Sequence, residues 1–107
     1  MQVLGISGTP RPGGNSEVLL EAALQPWRQA QAQITKVLLS QTTIAACDGC
    51  ESCQSSGRCH QRDGMDEVYD AYKTCDAILI AAPVYWRNVP APLKALMDRT
   101  FAIREKE

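Results

Sequence analysis

With 107 residues, 45% of them apolar and 21% charged, the chain has the composition of one globular domain with a modest core. Its net charge of −1 gives no footprint for nucleic acid or an anionic membrane, and no apolar run approaches the ~20 residues that span a bilayer. The start, MQVLGISG, has neither a cationic stretch nor a long apolar core, so no signal peptide is expected and the cytoplasm is the expected compartment.

Gln2–Ile6 is a short apolar run ending in SGTPRPGGNS, which predicts a buried strand followed by a loop. From Ser16 onward Leu19, Leu20, Ala23, Leu24 and Trp27 recur at helical spacing, with Asn15 or Ser16 as the expected cap and Pro26 as the expected kink or stop. Ile34–Leu39 is a second strand, and a long cysteine-bearing loop follows it. Asp63 caps a helix over Met65–Lys73. Asp76–Ala82, DAILIAA, is the most apolar stretch and is expected to be a central parallel strand. After the loop PVYWRNVPAP, a helix over Leu93–Phe101 has Pro92 near its first turn. Alternation of strand and helix predicts an α/β domain with a parallel sheet and right-handed crossovers.

The first loop occupies the place where α/β proteins bind phosphate, between a strand and the amino end of a helix. Gly8 and Gly13 match the first two glycines of a nucleoside-triphosphate loop, but Gly14 and Asn15 stand where lysine and a hydroxyl are needed. A single terminal phosphate suits the segment better: Ser7, Thr9 and Ser16 offer hydroxyls, Asn15 an amide and Arg11 an optional cation. The alternative is a Gly/Pro-rich turn with no ligand. In the loop after the third strand, Tyr85 and Trp86 are suited to flank a flat heteroaromatic ring, with backbone groups of Val84 to Asn88 at its edges. Each aromatic could instead pack under a loop or in an oligomer contact.

Four of the five cysteines, Cys47, Cys50, Cys53 and Cys59, fall within thirteen residues. A reducing compartment and an odd cysteine count argue against a disulfide knot. The two-residue gaps resemble [4Fe–4S] ligation, although no proline follows the last cysteine; tetrahedral zinc and free or oxidised thiols stay open. His60 reads as a solvent-exposed neighbour rather than a ligand, and Cys75 as a small buried hydrophobe outside the set.

Three segments in this order, SGTPRPGGNSE (Ser7–Glu17), CDGCESCQSSGRC (Cys47–Cys59) and APVYWRNVPAPLKALMDR (Ala82–Arg99), resemble the flavodoxin-like NADPH-dependent FMN reductases, including the iron–sulfur flavoproteins. The resemblance covers nearly the whole chain. It implies a flavodoxin-like three-layer sandwich with a parallel sheet of order 2-1-3. It also implies that Ser7, Thr9, Arg11, Asn15 and Ser16 surround the FMN phosphate, while Pro83, Val84, Tyr85, Trp86 and Asn88 lie along the ribityl chain and isoalloxazine. No catalytic acid or base is expected, because the redox chemistry belongs to the cofactor. The implied function is an FMN-dependent oxidoreductase or electron-transfer flavoprotein, with a [4Fe–4S] cluster on Cys47, Cys50, Cys53 and Cys59 and NAD(P)H as co-substrate. The alternatives are a metal-bearing redox or interaction module, or an inactive fragment, with weak flavin binding or none.

Two departures stand out: Arg87 replaces a small residue common among relatives, and Asp63-Gly64-Met65 stands where two acidic residues often precede the methionine. The sequence also ends before the fourth and fifth strands and the third flavin loop, so residues 1–107 read as a single truncated domain. A truncated product, a natural half completed by a partner, and a homodimer joined through the third strands all account for this. Self-association is the favoured expectation, because the third strand would otherwise be a bare apolar edge. A redox partner or small-molecule electron acceptor is the other expected partner.

Overall fold

The structure, a computed structural model, describes residues 1–104. Three strands, β1 (Gln2–Ser7), β2 (Gln33–Leu38) and β3 (Ala77–Ala81), form one parallel sheet in the order β2-β1-β3. The expected 2-1-3 order and flavodoxin-like layering are therefore present. β1 is the central strand, with Gly5 opposite Lys36 on one side and Leu79 on the other. It is buried on both faces, which is why its sequence shows no polar alternation. The apolar DAILIAA segment, which its composition marked as central and the truncated 2-1-3 order as a bare edge, is an edge strand among the described residues, with Ile78 and Ile80 exposed.

One face of the sheet carries α1 (Asn15–Gln29), whose Leu20 and Leu24 pack with Val3 and Ala81. Gly5 lets this helix approach: a Cβ there would lie 3.1 Å from Leu24. The other face carries α3 (Met65–Thr74) and α4 (Ala91–Arg99), which bury Met65, Val68, Leu93 and Leu96 against Leu4 and Ile6. A short helix, α2 (Cys53–Ser56), interrupts the cysteine loop, and a 3-10 turn over Thr100–Ile103 follows α4. Among the described residues no helix is long and apolar enough to cross a membrane.

Several boundaries differ from expectation for local reasons. α1 runs three residues past Pro26, which removes one intrahelical hydrogen bond without ending the helix. Neither Asn15 nor Ser16 caps it. Gly14 is the cap residue, and the Glu17 carboxylate reaches back to accept from the Gly13 amide at 2.8 Å. α4 begins two residues earlier than expected, because Pro92 is tolerated in its first turn, and ends at Arg99 rather than Phe101. Gly64, not Asp63, is the cap residue of α3, although the Asp63 carboxylate still accepts from the Met65 amide at 3.0 Å.

Candidate functional site

The parallel sheet brings together, at its carboxyl edge, the first loop and the loop after β3 (the third loop of this chain, distinct from the third flavin loop of relatives). The Gly8 amide donates to the Ala81 carbonyl at 2.8 Å, joining the end of β1 to the end of β3. Gly8 suits this close approach, since a Cβ would lie 2.8 Å from a Leu93 methyl and 3.0 Å from Ala82 and would force both to shift. Because β1 lies between β2 and β3, this junction is the switch point at which open α/β sheets bind ligands.

Ser7 and Thr9 are buried there. The Thr9 hydroxyl accepts from the Arg11 amide at 3.1 Å, folding the loop back on itself. The Ser7 hydroxyl is buried without a hydrogen-bond partner. Such a group costs about 1–3 kcal/mol unless something accepts from or donates to it. Asn15 is exposed and Ser16 half-buried in the first turn of α1, whose amides carry the helix's partial positive charge. Arg11 lies over the same end: a Cβ on Gly14 would be 3.4 Å from Arg11 Nε. A cation at a helix amino end is unfavourable by itself and becomes favourable when an anion sits between them. Ser7, Thr9, Arg11, Asn15 and Ser16 therefore form a segment suited to a phosphate.

In the third loop, Tyr85 and Asn88 exchange backbone hydrogen bonds of 2.9 and 3.0 Å around a two-residue tip. The tip residues Trp86 and Arg87 both have positive φ, 47° and 65°, the geometry of a tight hairpin turn. The turn holds Trp86 95% exposed, so it does not pack under the loop. Tyr85 and Val84 are also exposed and Pro83 is half-buried, while the Asn88 side chain accepts from the Val89 amide at 2.8 Å. An apolar and aromatic shelf thus stands beside the phosphate-type loop.

The cysteine segment forms a separate feature on the α3/α4 side. All five cysteines are free thiols; Cys47 and Cys50 are exposed, Cys53 and Cys59 half-buried against the core. Cys75 is half-buried rather than buried, and lies outside the set as expected. Cys47, Cys50, Cys53 and Cys59 line one largely apolar cavity of about 70 Å³. No three of their sulfurs lie within 4.8 Å of one another among the described residues. A single zinc ion with Zn–S bonds near 2.3 Å would hold its sulfurs roughly 3.8 Å apart. Four thiols around one cavity are the donor set that a sulfur-bridged cluster takes, and as placed they do not converge on a single ion.

Two neighbouring arrangements were not legible in the sequence. His60 Nε2 lies 2.8 Å from Asp48 Oδ2, and Cys50 Sγ completes a group within 4.8 Å. The His60 hydrogen bond, with help from the Cys50 amide, holds the Asp48 carboxyl below its ordinary range. His60 is exposed, as the sequence suggested, but it is not merely a neighbour. The second arrangement is an ion pair between buried Arg99 and half-buried Asp63. Arg99 Nη1 donates to Asp63 Oδ2 at 2.6 Å and to the Ala45 carbonyl at 3.1 Å, while Asp63 Oδ2 also accepts from the Ala45 amide at 2.9 Å. Ala45 and Asp63 bracket the cysteine segment, so one pair closes its two ends onto α4. The Tyr69 hydroxyl donates to the Arg99 carbonyl at 2.8 Å and fixes α3 to the same point. Asp63 had been legible only as a helix cap. Its partner is thirty-six residues away, beyond the reach of any local pattern.

The whole chain, residues 1–107, matches the NADPH-dependent FMN reductase family. It is 41% identical over 106 residues to an iron-sulfur flavoprotein of Methanosarcina thermophila, covering 99% of this chain and 56% of that protein. It is 40% identical over 99 residues to an iron-sulfur flavoprotein of Archaeoglobus fulgidus, covering 92% and 45%. The chain thus spans about half the length of these relatives. Among solved structures, a flavone reductase matches with a TM-score of 0.71 at 20% identity, over 94% of this chain and 30% of that one. A Klebsiella pneumoniae protein described as a quinone reductase matches with a TM-score of 0.72 at 20% identity, over 94% and 45%. At that identity the two structures speak to the fold alone.

Proposed function

The chain belongs to the NADPH-dependent FMN reductase family, and from that premise we propose that it binds FMN across its first and third loops and works as a flavin-dependent oxidoreductase or electron carrier. Bound FMN supplies the one- and two-electron chemistry. Ser7, Thr9, Arg11, Asn15 and Ser16 hold the phosphate, and Pro83, Val84, Tyr85, Trp86 and Asn88 bear on the ribityl chain and ring. Cys47, Cys50, Cys53 and Cys59 hold a [4Fe–4S] cluster in the cavity that they line. NAD(P)H is the proposed co-substrate and a small molecule or redox protein the acceptor. Residues 1–107 act as one domain in the cytoplasm and associate with a second copy.

The observation that carries the flavin reading is the orphaned Ser7 hydroxyl, buried at the end of the central strand beside the amino end of α1. Purified chain added to FMN should quench or shift the flavin spectrum. Ser7→Ala should weaken binding about tenfold, the size of one hydrogen bond to a charged group. Trp86→Ala should weaken it several-fold through lost ring contact. No spectral change with FMN in the tens of micromolar sinks the reading.

One observation favours a second reading, a metal-binding redox or interaction module with weak flavin binding or none. Asp48, Cys50 and His60 offer three ligand atoms of the kinds that zinc takes. Zinc found in the purified protein, lost on His60→Ala but kept on Cys59→Ser, would select it over the cluster.

A further inference from the structure

Arg99 lines the four-cysteine cavity, and its side chain is only 1% exposed. Nη1 is fully used by Asp63 and Ala45, but Nε and Nη2 are buried with no partner. Burial works against the Arg99 charge, and the Asp63 hydrogen bond and charge together outweigh it. The Tyr69 hydroxyl on the facing helix donates to the Arg99 carbonyl, and half-buried Cys59 packs against the same cluster as Tyr69, so the sulfur, the phenol and the guanidinium share one neighbourhood. Three N–H bonds left unsatisfied in such a place are costly unless an acceptor enters the cavity.

We propose that Arg99 is a positioning and tuning residue for the cysteine cavity, its free Nε and Nη2 edge donating to the sulfur shell of an anionic iron–sulfur cluster. The inference rests on the cluster reading above. A cubane with four thiolate ligands gains one negative charge when it takes up one electron, with no proton transferred and no bond made or broken in the protein. A fixed guanidinium stabilises the more negative, reduced form and so raises the reduction potential, while the Asp63 carboxylate opposes it. Arg99 and Asp63 therefore act as two levers of opposite sign on one cluster. A pair that served only to close the loop would have no such signature.

The test is a mediated redox titration, with a low-potential chemical reductant, of the full chain reconstituted anaerobically with iron and sulfide. Asp63→Asn removes the opposing carboxylate and should raise the potential. Arg99→Met on the Asp63→Asn background removes the guanidinium without stranding a buried carboxylate. It should lower the potential relative to Asp63→Asn by about tenfold in the reduction equilibrium, about 59 mV for one electron. Equal potentials in the two variants, or shifts of the opposite sign, overturn the assignment. Loss of the cluster from Asp63→Asn while the wild type keeps it would make the pair a loop clamp only, and overturns it as well. A wild-type chain that takes up no iron and shows no broad visible absorbance would defeat the cluster reading itself, and this inference with it.

Discussion

The Asp63 carboxylate ties three segments together, accepting from Arg99, Ala45 and Met65. Burial would raise its carboxyl pKa, but the Arg99 guanidinium and the Ala45 and Met65 amides outweigh that and hold it at about 2. An unfolded aspartate titrates near 3.9, so the native state gains stability from the ionised form. That contribution, about 2–3 kcal/mol, is fully present above roughly pH 4 and fades as the pH falls toward 2. Urea midpoints should therefore separate wild type from Asp63→Asn strongly at neutral pH and converge near pH 2, with little change between pH 5 and 8 from this group. A gap independent of pH would show that Asp63 works through shape rather than charge. Next to it, Gly64 is needed for space rather than for dihedral freedom. A Cβ there would overlap Thr42 Cγ2 and lie 2.9 Å from the Thr43 carbonyl, so Gly64→Ala should cost about 1–3 kcal/mol by overpacking. The sequence carried the turn residues of this corner but not their partners, since Thr42 and Arg99 reach it through the fold alone.

The elements were legible where hydrophobic period and turn chemistry agreed, as in β1, α1 and the αβ alternation that gave a parallel sheet; the 2-1-3 order came only with the family resemblance. They were less legible where a side chain contacts something distant: the Glu17 carboxylate replaced the expected Asn15 or Ser16 cap because Ser40 on another segment holds it at 2.6 Å. The tip of the third loop is the clearest such element. Nothing in YWRN signals a turn with two positive φ angles, because asparagine and glycine are the usual occupants. The backbone takes that geometry because Tyr85 and Asn88 pair across it. Holding a branched or bulky residue there costs about 1–2 kcal/mol. Arg87→Gly should relieve part of this, offset by the chain entropy that glycine adds to the unfolded state, for a net gain of up to about 1 kcal/mol in urea unfolding. If FMN affinity is unchanged in that variant, Trp86 is presented without the strain at Arg87, and Trp86→Ala alone should lower affinity. If stability falls instead, the Arg87 side chain makes contacts that outweigh its dihedral cost.

At the scale of the molecule, the proposed self-association rests on the open side of β3. Its accessible surface is 6830 Å², whereas a compact monomer of 11.7 kDa is expected to show about 5,900 Å². The excess, roughly 900 Å², is close to what one partner contributes to a standard interface, about 800 Å². Large apolar side chains are open along the edge: Ile78 is 40% and Ile80 53% exposed, and Val18 and Leu19 of α1, on the other face of the sheet, are exposed as well. β3 also leaves one row of backbone donors and acceptors unpaired among the described residues, which invites another strand. Residues 1–107 expressed alone should therefore associate in a concentration-dependent way, visible as a dimer or larger species by light scattering at micromolar concentration. Ile80→Lys places a charge on the edge, where burial is low, so it should leave the helical circular dichroism intact while shifting the population toward monomer. The control is Leu4→Ala, deep in the core, which should instead lose about 2–5 kcal/mol of stability and so broaden or lower the unfolding transition. A wild-type chain that is well folded and monomeric at that concentration would refute the association. It would also show that the exposed edge is tolerated by its shortness, since β3 has only five residues.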